Sequence, residues 1–341
     1  MKKSLLALAA LTAFAGAASA QSSVTLFGIV DLNVRHIKND DTRTIMSQDG
    51  IASSRIGFRG VEDIGGGMRA GFWLEGAINA DNGGNSGLVF ARRSTVSLLG
   101  SFGEVRLGRD YTPDFWNHTV FDPFGTNGVG SSVNAFGTFS GAGTLVRANN
   151  SIGYFLPAMG GLGGQVMYAF GEGVPQGNKH IAGRLTYAAG PLSLAAAYGK
   201  TTPEVVNGPK LGWSRINLAG SYNMGVANLM AQYNQGKGTG GADNGKKQTL
   251  WLLGAVVPMG AHSFKLSYTS SDSSGTGIDT RDATQIALGY QYDLSKRTAL
   301  YGNFARVAND AGAAYTAGGG GTALTAGKDS TGMEVGVRHT F

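Results

Sequence analysis

The strongest constraint in this chain is a two-residue alternation of apolar and polar side chains, repeated almost from end to end. At the C-terminus Met333, Val335, Val337, His339 and Phe341 share one side, and Gly332, Glu334, Gly336, Arg338 and Thr340 share the other. That period belongs to a strand, whose successive side chains point to opposite faces. Phe264, Leu266 and Tyr268 likewise oppose Ser263, Lys265 and Ser267, and Ile286, Leu288, Tyr290 and Tyr292 oppose Gln285, Gly289 and Gln291. Ile152, Tyr154 and Leu156 oppose Asn149, Ser151 and Gly153, and Ile181, Leu185 and Tyr187 oppose Ala182, Arg184 and Thr186. One face is apolar and ends in aromatics, while the other is polar or glycine. No useful length of helical periodicity follows Ala20.

Sixteen such segments can be traced, from Ser23–Ile37, Ile51–Asp63, Met68–Ala80 and Leu88–Gly100 through to Thr331–Phe341. Seven tight turns, such as Ile64-Gly65-Gly66-Gly67, alternate with eight longer polar or glycine-rich loops. A secreted sandwich, as in an adhesin or lectin, would turn the apolar faces onto a packed core. Sixteen hairpin-connected strands would then need several domains with linkers, and no composition shift marks one. An even strand count, short turns at one end, long loops at the other and aromatics at strand ends describe a membrane barrel. Closure pairs every backbone group and removes edge strands, as lipid demands. The expected fold is therefore all-β: a sixteen-stranded antiparallel transmembrane β-barrel spanning residues 21–341.

Residues 1–20 read as a cleaved export signal. Lys2 and Lys3 precede an apolar run from Leu5 to Ala18, and Ala18-Ser19-Ala20 has the form of a cleavage site. The chain holds no cysteine, so disulfides cannot staple it after export. Without Lys2 and Lys3 it carries 26 basic against 22 acidic residues, a net charge of +4 with no basic run. That balance in an exported protein argues against a nucleic-acid partner. No later apolar run reaches the length of a helical span.

One stretch breaks the pattern. Asp110–Val146 runs for 37 residues with six glycines and neither periodicity. Loops of this length in a compact fold are functional or disordered, and disordered segments are poor in aromatics. This one holds Phe115, Trp116, Phe121, Phe124, Phe136 and Phe139. It is expected to fold into the barrel mouth and narrow it.

The segments SSVTLFGIVD, SRIGFRGVEDIGGGMRAGFWLEG, RRSTVSLLGSFGEVRLGRD, RANNSIGY, LSKRTALYGNFA and the terminal VGVRHTF cover the chain end to end. In them it resembles the general-diffusion porins of Gram-negative bacteria, of the β-proteobacterial type. The resemblance implies a homotrimer of sixteen-stranded barrels whose third long loop forms the constriction, in agreement with Asp110–Val146. It also makes Phe341 part of the signal read by the barrel-assembly machinery. Outer-membrane lipid, lipopolysaccharide, small anions and hydrophilic solutes are the other partners it implies, with no cofactor.

Alternation and resemblance together select the site residues. Arg55 shares a face with Gly57 and Arg59, and Arg147 with Asn149 and Ser151, so both are expected in the lumen. Arg92 and Arg93 are adjacent, and alternation allows one of them inside; strict alternation favours Arg93 and the family pattern Arg92. Rings of like charge line ion pathways. Glu75 shares a face with Arg69 and Gly71 and is expected in the lumen. Asp110, Asp114 and Asp122 either face the arginines across the pore or anchor the loop. Other motifs carry less. DNGGNSG and DSSGTGIDTRD lack the twelfth-position Glu of a calcium loop, and GGLGGQ and GGGG are no phosphate cradle. The five His are too dispersed for a zinc motif. A barrel phospholipase or protease needs an acid–base constellation, and His118 and His339 have no evident partner in sequence. A closed structural or adhesive barrel conflicts with sixteen strands, which leave an aqueous channel.

Overall fold

The computed structural model describes residues 23–84, 87–136, 145–173, 177–203, 212–318 and 322–341. The expected signal, residues 1–20, and Phe139 lie outside them. The strands are β1 (Ser23–Lys38), β2 (Thr42–Ser47), β3 (Arg55–Gly65), β4 (Met68–Ala77), β5 (Arg93–Gly100) and β6 (Gly103–Tyr111). Then come β7 (Arg147–Phe155), β8 (Leu162–Ala169), β9 (Asn178–Ala189), β10 (Leu192–Pro203), β11 (Gly212–Asn223) and β12 (Asn228–Thr239). The last are β13 (Lys247–Met259), β14 (His262–Ser274), β15 (Ala283–Asp293), β16 (Thr298–Asn309) and β17 (Ser330–Thr340). All pairings are antiparallel, and β17 returns to β1 to close the ring.

These seventeen described strands fill sixteen places around the barrel, because β2 and β3 share one edge of β1. β2 pairs with Asn33–Lys38 and β3 with Ser23–Ile29. The sequence reading put β2 in a polar loop and began the next strand at Ile51. Buried Asp31 is the cause of the break. Its carboxylate accepts the backbone N–H groups of Gly50, Ile51 and Ala52 at 3.3, 3.0 and 2.9 Å. Those donors are drawn inward and lost to the ladder, so β3 starts at Arg55.

The faces fall as the alternation requires. Val34, Leu107, Ile181, Leu253, Leu288 and Val335 point outward and are exposed, whereas Asp31, Asn33, Arg35, Gln232, Asn234 and Glu334 point inward and are buried. Exposed Tyr187, Tyr222 and Tyr292 stand near the tight turns, and Tyr168, Tyr198 and Trp251 near the long loops, as expected for rings at the two membrane interfaces. No helix among the described residues is long and apolar enough to cross a membrane, which is no bar to crossing with strands.

The segment after β6 lies inside the barrel. Thr112 precedes Pro113 at the first position of helix α1 (Pro113–Val120), with Asp114 in the first turn. Proline is preorganised there, and an acid favours the positive end of the helix dipole. The chain continues through a 3₁₀ turn, Ser132–Ala135. Phe124 and Val129 bury against Ala283, Ala287, Ala305, Val307 and Ala317, and Phe136 against Leu250 and Leu252. Each such ring contributes roughly 1.5–3 kcal/mol by leaving water. The small inward residues of β15 and β16 make the room.

The seam is held at the chain end. Gly28 and Phe341 exchange backbone hydrogen bonds of 3.0 and 3.1 Å. The Phe341 ring lies on Gly28, where an added Cβ would stand 2.3 Å from its Cζ and 2.8 Å from the Arg55 carbonyl. Gly28→Val should therefore destabilise the closed barrel by about 1–3 kcal/mol, the usual cost of overpacking. Electrophoresis of unboiled samples after graded heating would read this as earlier loss of the compact form. An unchanged transition would mean that the ring simply moves aside.

Candidate functional site

Arginines converge on one wall because β3, β4 and β5 pair in register. Glu75 lies across from Gly57 on one side and Arg93 on the other. Its carboxylate accepts from Arg92 Nε at 2.7 Å and Trp73 Nε1 at 3.1 Å, with Arg55 Nη1 at 3.4 Å. Tyr111, the last residue of β6, gathers the rest. Its hydroxyl oxygen accepts from Arg92 Nη2 at 2.9 Å and Arg147 Nη2 at 2.5 Å, and the Arg147 guanidinium stands 4.2 Å from its ring centroid. Arg147 Nε also donates to the Arg92 carbonyl at 2.7 Å. These arginines and the loop residues Phe115, Trp116, Thr126 and Asn127 line a cavity of about 380 Å³. Arg55 Nε is buried with no hydrogen-bond partner, so the wall keeps donor capacity to spare.

A second layer lies nearer the tight turns. Arg93 stands 4.4 Å over Trp73, Arg106 4.0 Å over Phe155, and Arg59 5.1 and 5.3 Å over Trp73 and Phe27. Cation–π contacts of this kind are worth about 0.5–2 kcal/mol, more as water is excluded. Arg106 also pairs with Asp110 at 2.5 Å and Glu104 at 2.8 Å, and Arg93 approaches Asp110 at 3.7 Å. Across the two layers six arginines (Arg55, Arg59, Arg92, Arg93, Arg106 and Arg147) face three acids, Glu75, Glu104 and Asp110. The wall carries an excess of three positive charges.

Both Arg92 and Arg93 reach inward partners, which corrects the expectation that adjacency admits one of them. β5 begins at Arg93, so Arg92 precedes the ladder and escapes its alternation. The aspartates separate. Asp110 joins the arginines. Asp114 crosses to the far wall, with His180 Nε2 at 3.6 Å and Arg215 Nη1 at 3.8 Å, all three fully buried. Asp122 stays within the loop, accepting from the N–H groups of Phe124, Thr126 and Ser132 at 2.8, 3.3 and 3.0 Å and from Ser132 Oγ at 2.6 Å. Burial pushes its carboxyl up from the ordinary value, against the pull of these donors.

The far wall holds the loop through polar groups. Asn117 bonds Asn217 and accepts from Arg184 Nε at 2.8 Å. Gln285 Nε2 donates to the carbonyls of Gly130 and Ser131 at 3.1 and 3.0 Å, and Glu334 accepts from Val129 N at 3.3 Å. His118 does have a partner, Ser132 Oγ at 2.8 Å. Burial, reinforced by the Arg215 charge, holds its pKa well below the usual histidine value. The order is not that of a catalytic triad, in which the acid orients the histidine. Here Asp122 holds the serine, and all three groups are buried in loop packing. Among the described residues no cluster of three or more His, Cys, Asp or Glu could hold a metal.

Sequence reasoning missed Arg106, Tyr111 and the helix. Arg106 was legible, since it alternates with Val105 and Leu107. So was the helix, in Thr112-Pro113-Asp114. Tyr111 was not, because its role depends on Arg92 and Arg147 meeting across it.

Comparisons with known proteins identify the family and the fold. A family model described as Gram-negative porin matches residues 7–312. The chain is 45% identical over 363 aligned residues to outer membrane porin protein 32 of Delftia acidovorans, covering 100% of both chains. It is 30% identical to the major outer membrane protein P.IB of Neisseria gonorrhoeae, over 87% of this chain and 91% of the other. Among solved structures, an anion-selective porin from Comamonas acidovorans superposes with a TM-score of 0.87 at 41% identity, covering 94% of this chain and 100% of that one. OmpT of Vibrio cholerae, at 14% identity and a TM-score of 0.74 over 94% and 98% of the two chains, shares the fold.

The Asp114 anchor can be tested through Gly199, which faces it from β10. A Cβ there would lie 2.6 Å from Asp114 Oδ1. Gly199→Val should push α1 from its seat and speed hydrogen exchange of its amides, beginning with Trp116 N–H, about tenfold, as overpacking of 1–3 kcal/mol implies. Unchanged exchange would remove Asp114 as the anchor.

Proposed function

Because the chain belongs to the Gram-negative porin family, we propose that its pore prefers anions and that Arg55, Arg92, Arg93 and Arg147 set the preference. The protein is an outer-membrane porin that passes small hydrophilic solutes by passive diffusion. Its family and fold are those of a channel rather than an enzyme. The observation that carries the proposal is the excess of arginine over acid on the wall that faces α1. Residues 110–146 act as the constriction, pressing the passage against that wall. Fixed charges in a narrow passage with low-dielectric walls raise the local counter-ion concentration. Two unit charges 4 Å apart interact by about 1 kcal/mol in bulk water and by more in a constriction, and 1 kcal/mol is already close to a fivefold change in occupancy. Glu75, Glu104 and Asp110 lower this field without reversing its sign, and they hold the guanidiniums in place.

The same reading places the protein as a homotrimer in contact with outer-membrane lipid and lipopolysaccharide, inserted by the barrel-assembly machinery. Phe341 serves that insertion rather than conduction. Its ring faces outward, away from the arginine wall, so deleting it should lower outer-membrane yield while inserted pores conduct as before. Normal yield with altered conductance would refute this role.

Planar-bilayer reversal potentials under a KCl gradient test selectivity. Anion preference is expected at low salt and should weaken as salt rises, since screening acts over roughly 10 Å at 0.1 M. Arg55→Gln and Arg147→Gln should each shift permeability toward cations several-fold, and Glu75→Gln should shift it the other way. Cation preference in the native protein, or no shift in either arginine variant, would overturn the assignment.

A further inference from the structure

Helix α1 carries its faces the opposite way from a helix packed on a protein wall. Such helices bury an apolar stripe and turn polar residues to water. Here Asp114 and Asn117, each 0% exposed, take partners on β9 and β11. The exposed side chains of the helix are Trp116 and Val120, at 40% and 42%. Four residues apart, they share one helix face. They line the same cavity of about 380 Å³ as Arg55, Arg92 and Arg147. Tyr111 ties the two groups together, with the Trp116 ring 5.4 Å and the Arg147 guanidinium 4.2 Å from its ring centroid.

Neither Asp114 nor Asp122 lines this cavity. The first is turned to the far wall and the second is held by loop donors. The helix therefore offers the arginines an apolar face, where an acid would have given a transverse field. Chloride satisfies a guanidinium but gains nothing from an indole. A carboxylate on a flat ring satisfies both. Its oxygens take guanidinium donors in pairs, and its ring leaves water against Trp116 and Val120. The apolar side also thins the water around the guanidiniums, which strengthens their pairing with a carboxylate. Arg55 Nε has no partner among the described residues, so Glu75 does not saturate the fork. Room suffices, since an apolar cavity of about 150 Å³ already takes benzene. The same combination recurs toward the tight turns, where Arg59, Arg93 and Arg106 line a second cavity of about 380 Å³ with Val61, Trp73 and Leu99.

We propose that the constriction is a binding site for aromatic carboxylates, the arginines taking the carboxylate and Trp116 with Val120 taking the ring. This deepens the function proposed above and rests on its assignment of the arginine wall. Trp116 and Val120 are then specificity-determining residues, which choose among anions that the arginines have already admitted. Contact between two aromatic rings is worth roughly two- to twelvefold in affinity.

The experiment uses the purified protein in planar bilayers with KCl on both sides and reads block of the chloride current. The probes are benzoate, acetate and benzyl alcohol. Benzoate is expected to block the native pore at a concentration at least about fivefold below acetate, and benzyl alcohol, which carries the ring without the charge, to block more weakly than benzoate. In Trp116→Gln the ratio of the two half-blocking concentrations should fall toward one. Val120→Thr, which keeps the side-chain shape, should lower it by a smaller factor. Equal block by benzoate and acetate in the native protein would overturn the proposal, as would a ratio unchanged in both variants. Benzyl alcohol blocking as well as benzoate would remove the arginines from the site and overturn it too. The benzoate-to-acetate ratio compares two anions, whereas the reversal potential compares anion with cation, so a failure of the selectivity assignment is read separately.

Discussion

Backbone pairing in lipid is the constraint on which this structure depends. Hydrocarbon offers no partner to an exposed N–H or C=O, so a chain that crosses as strands must close on itself. Closure places the two chain ends side by side, and the β1–β17 ladder with Phe341 lying on Gly28 completes the circle. Once closed, the barrel has its apolar surface outside. The interior then inherits the polar positions of every strand, and a core in the usual sense is not available.

The inner wall is therefore built to receive something. Alanines of β15 and β16 and the glycine at 199 leave hollows on one side of the lumen, and the described residues between β6 and β7 fill them. Its rings supply the burial and its backbone carbonyls find Gln232 and Gln285. Asp114, Asp122 and Glu334 do the positional work that a hydrophobic core does elsewhere, each accepting several donors or facing a buried cation. The described parts of the loop are pinned to the β9–β17 side and leave a cavity against the opposite wall, where the arginines stand.

That wall balances two opposing demands. Guanidinium groups near one another repel, and each loses hydration on leaving bulk water. Aromatic faces at Trp73, Tyr111 and Phe155 and the carboxylates of Glu75, Glu104 and Asp110 offset both costs. The acids are fewer than the cations, so geometry is secured while charge is left over. The surplus lines the cavity beside the loop, and the anion preference proposed above rests on it.

The sequence by itself determined the barrel, the strand alternation, the facing of most side chains and the position of the interior loop, because a period of two is a local property that lipid outside and water inside must sort in one way. Arg55, Glu75 and Arg147 were legible for the same reason, as members of polar faces. Tertiary structure decided what alternation cannot express. Arg92 turns inward because β5 starts at Arg93, five residues later than the expected Leu88, and β2 appears because Asp31 captures three amides from a distant segment. Asp110, Asp114 and Asp122, alike in sequence, take three different partners because each lies at a different point of a loop whose path is set by contacts with β9–β17. Alternation is written along the chain, whereas the partners of a buried charge are chosen across the barrel, by residues that no local pattern brings together.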